Sequence, residues 1–264
     1  MKLRLHHIPV CPFSQRVEIL LALKGIRGAV DFNVIDITKP RPGYLTELTR
    51  GTTALPVMEV DERTPIKESL VILRFLEHLF PETVVARVDA YEHALESLLV
   101  AQERAFTKAG YSMILNQDPE KREYWSGQIL SVYRAMNSIL RDYAPGKVFF
   151  FDRFGWAEIV FTPLFQRFWF LEYYEGFELP EGTEFDRVQK WRAACLDEAC
   201  AGQVSYEQIV KLYYDYAKGA GDGSAVGGRE VSSFVFDPDW PERPMPPPDK
   251  YGVSATDADL GLGR

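Results

Sequence analysis

The spacing of apolar residues changes character once along this chain, between residues 81 and 87, and that change limits the folds open to it. Before it, short alternating runs take turns with helical stripes; after it, only helical stripes occur. Leu3-Arg4-Leu5 begins a strand, and Val17, Leu20, Leu21 and Lys24 mark a helix that Gly25 can close. "VDFNVIDI" (30–37) alternates as a second strand, and the connector "KPRPGY" leads to a short helix ending near Gly51. "LPVMEV" and "PIKES" read as two strands joined by the turn Asp61-Glu62-Arg63. Ser69 opens a helix with Ile72, Leu76 and Leu79 on one face, and Pro81 ends it. The order β-α-β-α-β-β-α over residues 1–81 predicts a small α/β domain with one antiparallel hairpin.

Residues 87–218 read as an all-helical domain. Leu95, Leu98 and Leu99 start one stripe, and Ile129, Val132, Met136, Ile139 and Tyr143 form a longer one. The aromatic density of residues 156–175 fits a helix buried on most sides. Ser205 and Gln208 make a capping-box pattern before "IVKLYYDYAKG". Residues 219–264 shift to Gly, Pro, Ser and Asp, the composition of a flexible tail. Yet Phe234, Phe236, Trp240 and Tyr251 are apolar anchors that a linker has little use for, so the tail is expected to wrap the body as irregular structure.

Charge and cysteine content narrow the function classes. A net charge of -8 is the opposite of the basic footprint of a nucleic-acid binder. The greasiest run, Ile159 to Leu171, is interrupted by Gln166 and Arg167, which argues against a membrane span. The N-terminus lacks the pattern of a secretory signal. Three irregularly spaced cysteines, Cys11, Cys195 and Cys200, make no disulfide framework, and a reducing cytoplasm is the expected home. His6 and His7, adjacent on a strand, point to opposite faces and cannot share a metal ion; no metal site is expected.

Cys11 stands between the first strand and the first helix, directly before Pro12. Proline suits the first helical position, because its missing N–H is not needed there. Cys11 therefore falls at the N-cap, where the N–H groups of Phe13 and Ser14 and the positive end of the helix dipole converge. Such positions favour thiolate over thiol. Ser14 stands where a redox pair would carry its second cysteine, so any mixed disulfide on Cys11 needs a thiol from solution to resolve it. Cys195 and Cys200, in or near a helix, read as packing residues.

"CPFSQRVEILLALKG", then "ALPVMEV", then "KES" before a helix and an all-helical domain, resembles the glutathione transferase superfamily, and its Cys-Pro-Phe start resembles the omega-like, cysteine-dependent branch. "HIPVCPFSQRVEI", "ITKPRP", "RGTTALP", "DRFGWAEI", "LYYDY" and "RPMPPPDKYGVSATDADLGL" extend the likeness, tail included, to the glutathione lyases of bacterial lignin β-aryl-ether catabolism. The resemblance implies a thioredoxin-like first domain, glutathione as co-substrate and possible homodimers. It implies that Leu55-Pro56 is the cis-proline step pairing with the cysteinyl part of glutathione, and that Glu68 and Ser69 hold the γ-glutamyl group. The start of a helix suits that carboxylate, although Ser69 alone reads equally well as an ordinary cap. By the same likeness Arg41 reaches the glycyl carboxylate and Phe13 lines the thiol's surroundings. The family's Ser/Thr-x-x-Asp capping box becomes Gly155-Trp156-Ala157-Glu158 here, a small cost because glycine is a tolerable cap.

The implied activity is removal of glutathione from aromatic α-keto conjugates. Cys11 would attack the glutathionyl sulfur, and Tyr213 or Tyr214 would donate to the carbonyl as it becomes an enolate. Tyr111, Phe168, Trp169 and Tyr216 would line the apolar pocket. Two alternatives stay open on the residues: an omega-type thiol transferase or dehydroascorbate reductase, which needs Cys11 but no fitted pocket, and a non-catalytic glutathione-fold binding module.

Overall fold

The computed structural model describes residues 1–51 and 53–263; Thr52, inside the "RGTTALP" motif, and Arg264, the end of the tail, lie outside the described residues. Strand β1 (Leu3–His7) runs into helix α1 (Pro12–Lys24), followed by β2 (Asp31–Val34), α2 (Gly43–Leu48), β3 (Val57–Val60), β4 (Ile66–Lys67) and α3 (Ser69–Leu79). The sheet order is β2-β1-β3-β4, with β1 parallel to β2 and antiparallel to β3, and with β3 and β4 forming the hairpin. This is the expected thioredoxin-like order. In the register, Leu5 lies beside both Phe32 and Met58. Leu3, Leu5, Val57, Met58 and Val60 are buried.

Helix α1 stops where the sequence says it should. Gly25 adopts φ 68° and closes it with N–H bonds from Gly25 and Ile26 back to Ala22 and Leu21, a conformation glycine takes at no steric cost. His6 and His7 meet different surroundings: His6 lies between Glu59 and Asn33, and His7 against Phe32 and Glu18.

The second region is helical: α4 (Ala90–Val100), α5 (Glu103–Leu115), α6 (Arg122–Tyr143), α7 (Trp156–Arg167), α8 (Trp169–Glu175), α9 (Asp186–Asp197), α10 (Tyr206–Leu212) and α11 (Tyr214–Ala217). Every residue of α7 is buried. The unusual cap works through Glu158, whose carboxylate accepts from Gly155 N at 2.9 Å, Phe150 N at 2.8 Å and Trp191 Nε1 at 2.7 Å. Helix α7 packs on α1 and so joins the domains. Where one aromatic helix was expected over 156–175 the chain breaks at Phe168, and "IVKLYYDYAKG" breaks at Tyr213.

The tail is ordered without regular strands. Asp215, buried in α11, accepts from Ser233 N at 2.6 Å and Val226 N at 3.2 Å and pairs with Arg229 at 2.5 Å. Lys250 is buried against Glu175, its Nζ 2.6 Å from the carboxylate, and also donates to the Met113 and Ile114 carbonyls at 3.2 and 2.7 Å. Phe234 is buried, and Phe236, Trp240 and Tyr251 are half-buried. No described helix is long and apolar enough to cross a membrane.

Candidate active site

Cys11 sits at the N-cap of α1, half-buried, with Pro12 as the first helical residue. Its N–H bonds to the Ile8 carbonyl at 3.2 Å, closing a tight turn. Val10, one residue earlier, holds φ 64°, a region where a β-branched residue is strained and needs support. Support comes from the other domain: buried Arg167 donates Nε to the Val10 carbonyl at 2.8 Å and Nη2 to Gln15 Oε1 at 2.5 Å. The cysteine turn is therefore fixed by a guanidinium at the end of α7.

One helical turn beyond the cysteine, Arg16 makes a second cross-domain hub. Its guanidinium donates to the Val160 carbonyl at 3.0 Å, Ser69 Oγ at 3.1 Å and Glu103 Oε1 at 2.7 Å. It lies 5.0 Å from the Phe13 ring centroid and lines the same cleft as Cys11. Burial pushes the guanidinium's pKa down while Glu103 opposes the shift.

These groups border a cleft of about 990 Å³ between the domains. Its first-domain wall holds Cys11, Phe13, Arg41, Leu55, Pro56, Glu68 and Ser69, which brings together every residue singled out there for glutathione. The Leu55–Pro56 peptide is cis. Glu68 caps α3 with φ 68°, and Arg41 Nε donates to the Thr53 carbonyl at 3.3 Å.

The opposite wall is phenolic. Tyr111, Tyr213 and Tyr216 line it with Phe234 from the tail. The Tyr111 and Tyr213 hydroxyls are 3.1 Å apart, and the Tyr213 and Tyr216 rings are 5.0 Å apart between centroids. Burial raises the pKa of all three phenols, so they are protonated donors at neutral pH; the nearby Arg167 cation partly opposes the rise at Tyr111 and Tyr213.

Tyr214, expected as a carbonyl donor, and Phe168 and Trp169, expected in the pocket, lie elsewhere. Tyr214 is buried on the far side of its helix, where its hydroxyl accepts from Ala255 N at 2.7 Å and its ring lies 5.3 Å from the Arg229 guanidinium. Tyr213 stands at the break between α10 and α11 and lines the cleft, whereas Tyr214, the first residue of α11, does not. Phe168 packs in the core, its ring 4.6 Å from Phe106 and 5.8 Å from Phe170 between centroids. Trp169 meets Tyr206 at 5.9 Å. Neither ring is among those lining the cleft.

The residues alone did not point to Arg16, Arg167, Glu103, Lys108, or the tail's Gly221 and Asp222, all cleft-lining or cysteine-supporting groups. A signal for Arg167 was present. A charge interrupting the most apolar run of a chain needs buried partners, and here they are the Val10 carbonyl and Gln15.

The fold and cleft define a two-domain enzyme of the glutathione-dependent class. The glutathione S-transferase N-terminal domain family matches residues 5–83 and the glutathione S-transferase C-terminal domain family matches residues 86–194. Together they span well over half of the chain, and the chain belongs to the glutathione transferase superfamily, whose co-substrate is glutathione. A similar protein is the probable glutathione transferase omega-2 of Caenorhabditis briggsae, 26% identical over 227 residues, covering 82% of this chain and 86% of the relative. Glutathione transferase omega-1 of Caenorhabditis elegans is 25% identical over 197 residues, 71% of this chain and 74% of that one. Among solved structures, glutathione transferase Omega 3C from Trametes versicolor shares the fold with TM-score 0.65 and 21% identity over 77% of this chain and 88% of its own. Rice GST1, solved in complex with glutathione, does so with TM-score 0.67 and 22% identity over 79% and 92%.

Proposed function

We propose that this enzyme removes glutathione from aromatic conjugates bearing a ketone next to the thioether carbon, using Cys11 as nucleophile. The single observation that carries this reading is the position of Cys11 between a glutathione-type wall and a wall of protonated phenols. A reductase of small disulfides needs the first wall only.

Glutathione suits the first wall. The Leu55 backbone can pair with its cysteinyl peptide, and Glu68 with its α-ammonium. Ser69 and the start of α3 offer donors to its γ-glutamyl carboxylate, and Arg41 is a cation for its glycyl carboxylate. The Cys11 thiolate then attacks the glutathionyl sulfur. A sulfur–sulfur bond forms, the carbon–sulfur bond breaks, and its electron pair moves onto the carbon and the adjacent carbonyl. Tyr213, paired with Tyr111, donates to that oxygen as charge develops. A proton from solvent completes the ketone. A second glutathione thiolate attacks the mixed disulfide, releasing oxidised glutathione and restoring Cys11. Lignin-derived phenylpropanoid ketones are the substrates to which the sequence likeness points.

The test is mass spectrometry of the products from a panel of glutathionyl ketones and small mixed disulfides. Free ketone together with oxidised glutathione supports the reading. Turnover of the disulfides or dehydroascorbate with every ketone left intact would establish the thiol transferase instead.

A further inference from the structure

Tyr216 differs from the Tyr111–Tyr213 pair in what holds it. The Asp222 N–H donates to the Tyr216 hydroxyl oxygen at 3.1 Å. Among the described residues no acceptor takes the Tyr216 proton, and the side chain lines the same cleft as Cys11. The hydroxyl is thus filled from behind by a backbone donor and keeps its hydrogen for whatever enters the cleft.

The segment supplying that donor is held on both sides. Gly221 packs against the ring, since a Cβ placed there would meet Tyr216 Cε1 at 3.5 Å. Asp222 and Gly223 both adopt the left-handed conformation, φ 57° and 77°. Gly223 is seated so closely on the first domain that an added Cβ would come within 2.6 Å of the Ile37 carbonyl oxygen. Ile37 lines the same cleft. Residues 221–223 therefore bridge from the helical domain to the loop after β2 and fix the Tyr216 hydroxyl relative to both walls.

We propose that Tyr216 is a second hydrogen-bond donor to the substrate's carbonyl oxygen, oriented by the tail segment Gly221–Gly223. With Tyr213 it forms a two-donor site for the developing oxyanion, and the tail becomes a part of the substrate site. The proposal rests on the ketone-cleavage reading for its substrate, but its test does not require turnover.

In a Cys11→Ser background, which blocks cleavage, calorimetry would compare S-phenacylglutathione with S-phenethylglutathione, the same ligand with CH₂ in place of the carbonyl. Tyr216→Phe is expected to weaken the phenacyl ligand about fivefold to tenfold, the worth of one neutral hydrogen bond, and to leave the phenethyl ligand unchanged. Gly223→Ala, which must lift the segment off Ile37, is expected to reproduce that selective loss. Unchanged phenacyl affinity in Tyr216→Phe, or equal losses on both ligands, would overturn the donor role. Full phenacyl affinity in Gly223→Ala would overturn the orienting role of the tail. If the ketone-cleavage reading itself is wrong, the Cys11-intact chain yields no ketone product while the selective binding loss persists.

Discussion

The hydroxyls of Tyr111 and Tyr213 meet at 3.1 Å although they come from helices about a hundred residues apart in sequence. The contact joins α5 to the break between α10 and α11. One hydroxyl must donate to the other, which leaves one proton of the pair for a ligand in the cleft. Tyr213→Phe keeps the ring and removes that arrangement. It is expected to lower kcat for a glutathionyl ketone by about 10²-fold, the usual effect of losing an oxyanion donor. Reduction of a small disulfide, which expels a thiolate and develops no oxyanion, should change little. Equal loss in both reactions, measured side by side, would mean that the change had merely disturbed Cys11.

The three cysteines differ in environment. Burial raises the Cys195 thiol well above its ordinary pKa and pushes Cys200 up to about 12, so both are thiols at neutral pH. Cys11 alone lines the cleft. Cys11→Ser is expected to abolish turnover, while Cys195→Ser and Cys200→Ser retain most of it. Peptide mapping after exposure to oxidised glutathione should find the adduct on Cys11; a dominant adduct on Cys200 would sink the assignment.

Glu68 faces the cleft beside Ser69, whose Oγ already accepts from Arg16 at 3.1 Å. That bond leaves Glu68 as the acidic partner for an ammonium group. Glu68→Gln should weaken glutathione binding by about tenfold or more, the loss of one charge-assisted hydrogen bond. Circular dichroism and thermal melting should stay at parental values, because the Glu68 side chain is exposed and carries little packing. Calorimetry with unchanged affinity would show that the ammonium binds elsewhere.

The first-domain wall of the cleft is legible in the sequence because it is local. Cys11-Pro12, Leu55-Pro56 and Glu68-Ser69 each sit at the edge of one element, where capping and turn chemistry appear in adjacent residues. The opposite, phenolic wall is only partly legible. Tyr213 and Tyr214 have equal claims from sequence, and the choice between them depends on a helix break at Tyr213 that no proline or glycine marks. Phe168 and Trp169 lie off the cleft beside a break of the same kind. Arg16 acts across the domain boundary on Glu103 and the Val160 carbonyl, and Arg167 on the Val10 carbonyl, and such pairings have no signature at any fixed spacing. The tail's composition points to disorder and its four aromatic residues to docking, and the proteolysis experiment below decides between them.

Lys250 and Glu175 are both wholly buried, 2.6 Å apart, and the lysine also caps the carbonyls ending α5. Removing one member of a buried pair strands the other charge. Arg122, whose Nε lies 3.2 Å from Glu175, compensates in part. Lys250→Ala is expected to cost about 3 kcal/mol in chemical denaturation. In the parent, residues 234–251 should resist limited proteolysis about as well as the helices, and Lys250→Ala should open them first. Rapid trimming of the parent to a core ending near Gly219 would contradict the docked tail.

Glu96 on α4 supplies a stability switch distinct from the active site. Its side chain is 2% exposed, and Oε2 lacks a hydrogen-bond partner among the described residues. Burial, reinforced by the neighbouring Glu158 charge, raises its pKa from 4.5 to about 7. The sign follows from linkage: the folded protein holds this proton more tightly than the unfolded chain. The contribution is complete below about pH 4.5, declines as pH rises, and is lost once pH passes about 7. A shift of this size corresponds to at most about 3 kcal/mol. Glu96→Gln keeps the shape of the protonated acid and removes the titration. Parent and variant should therefore melt together near pH 5, and near pH 8 the variant should be more stable by roughly 2 kcal/mol. His7, whose pKa burial lowers to about 4, weakens both proteins on the acid side. That effect is common to both and cancels in the comparison. Thermal melts of the two proteins across this range would decide the matter: a difference independent of pH would mean that Glu96 is already ionised in the fold at pH 5.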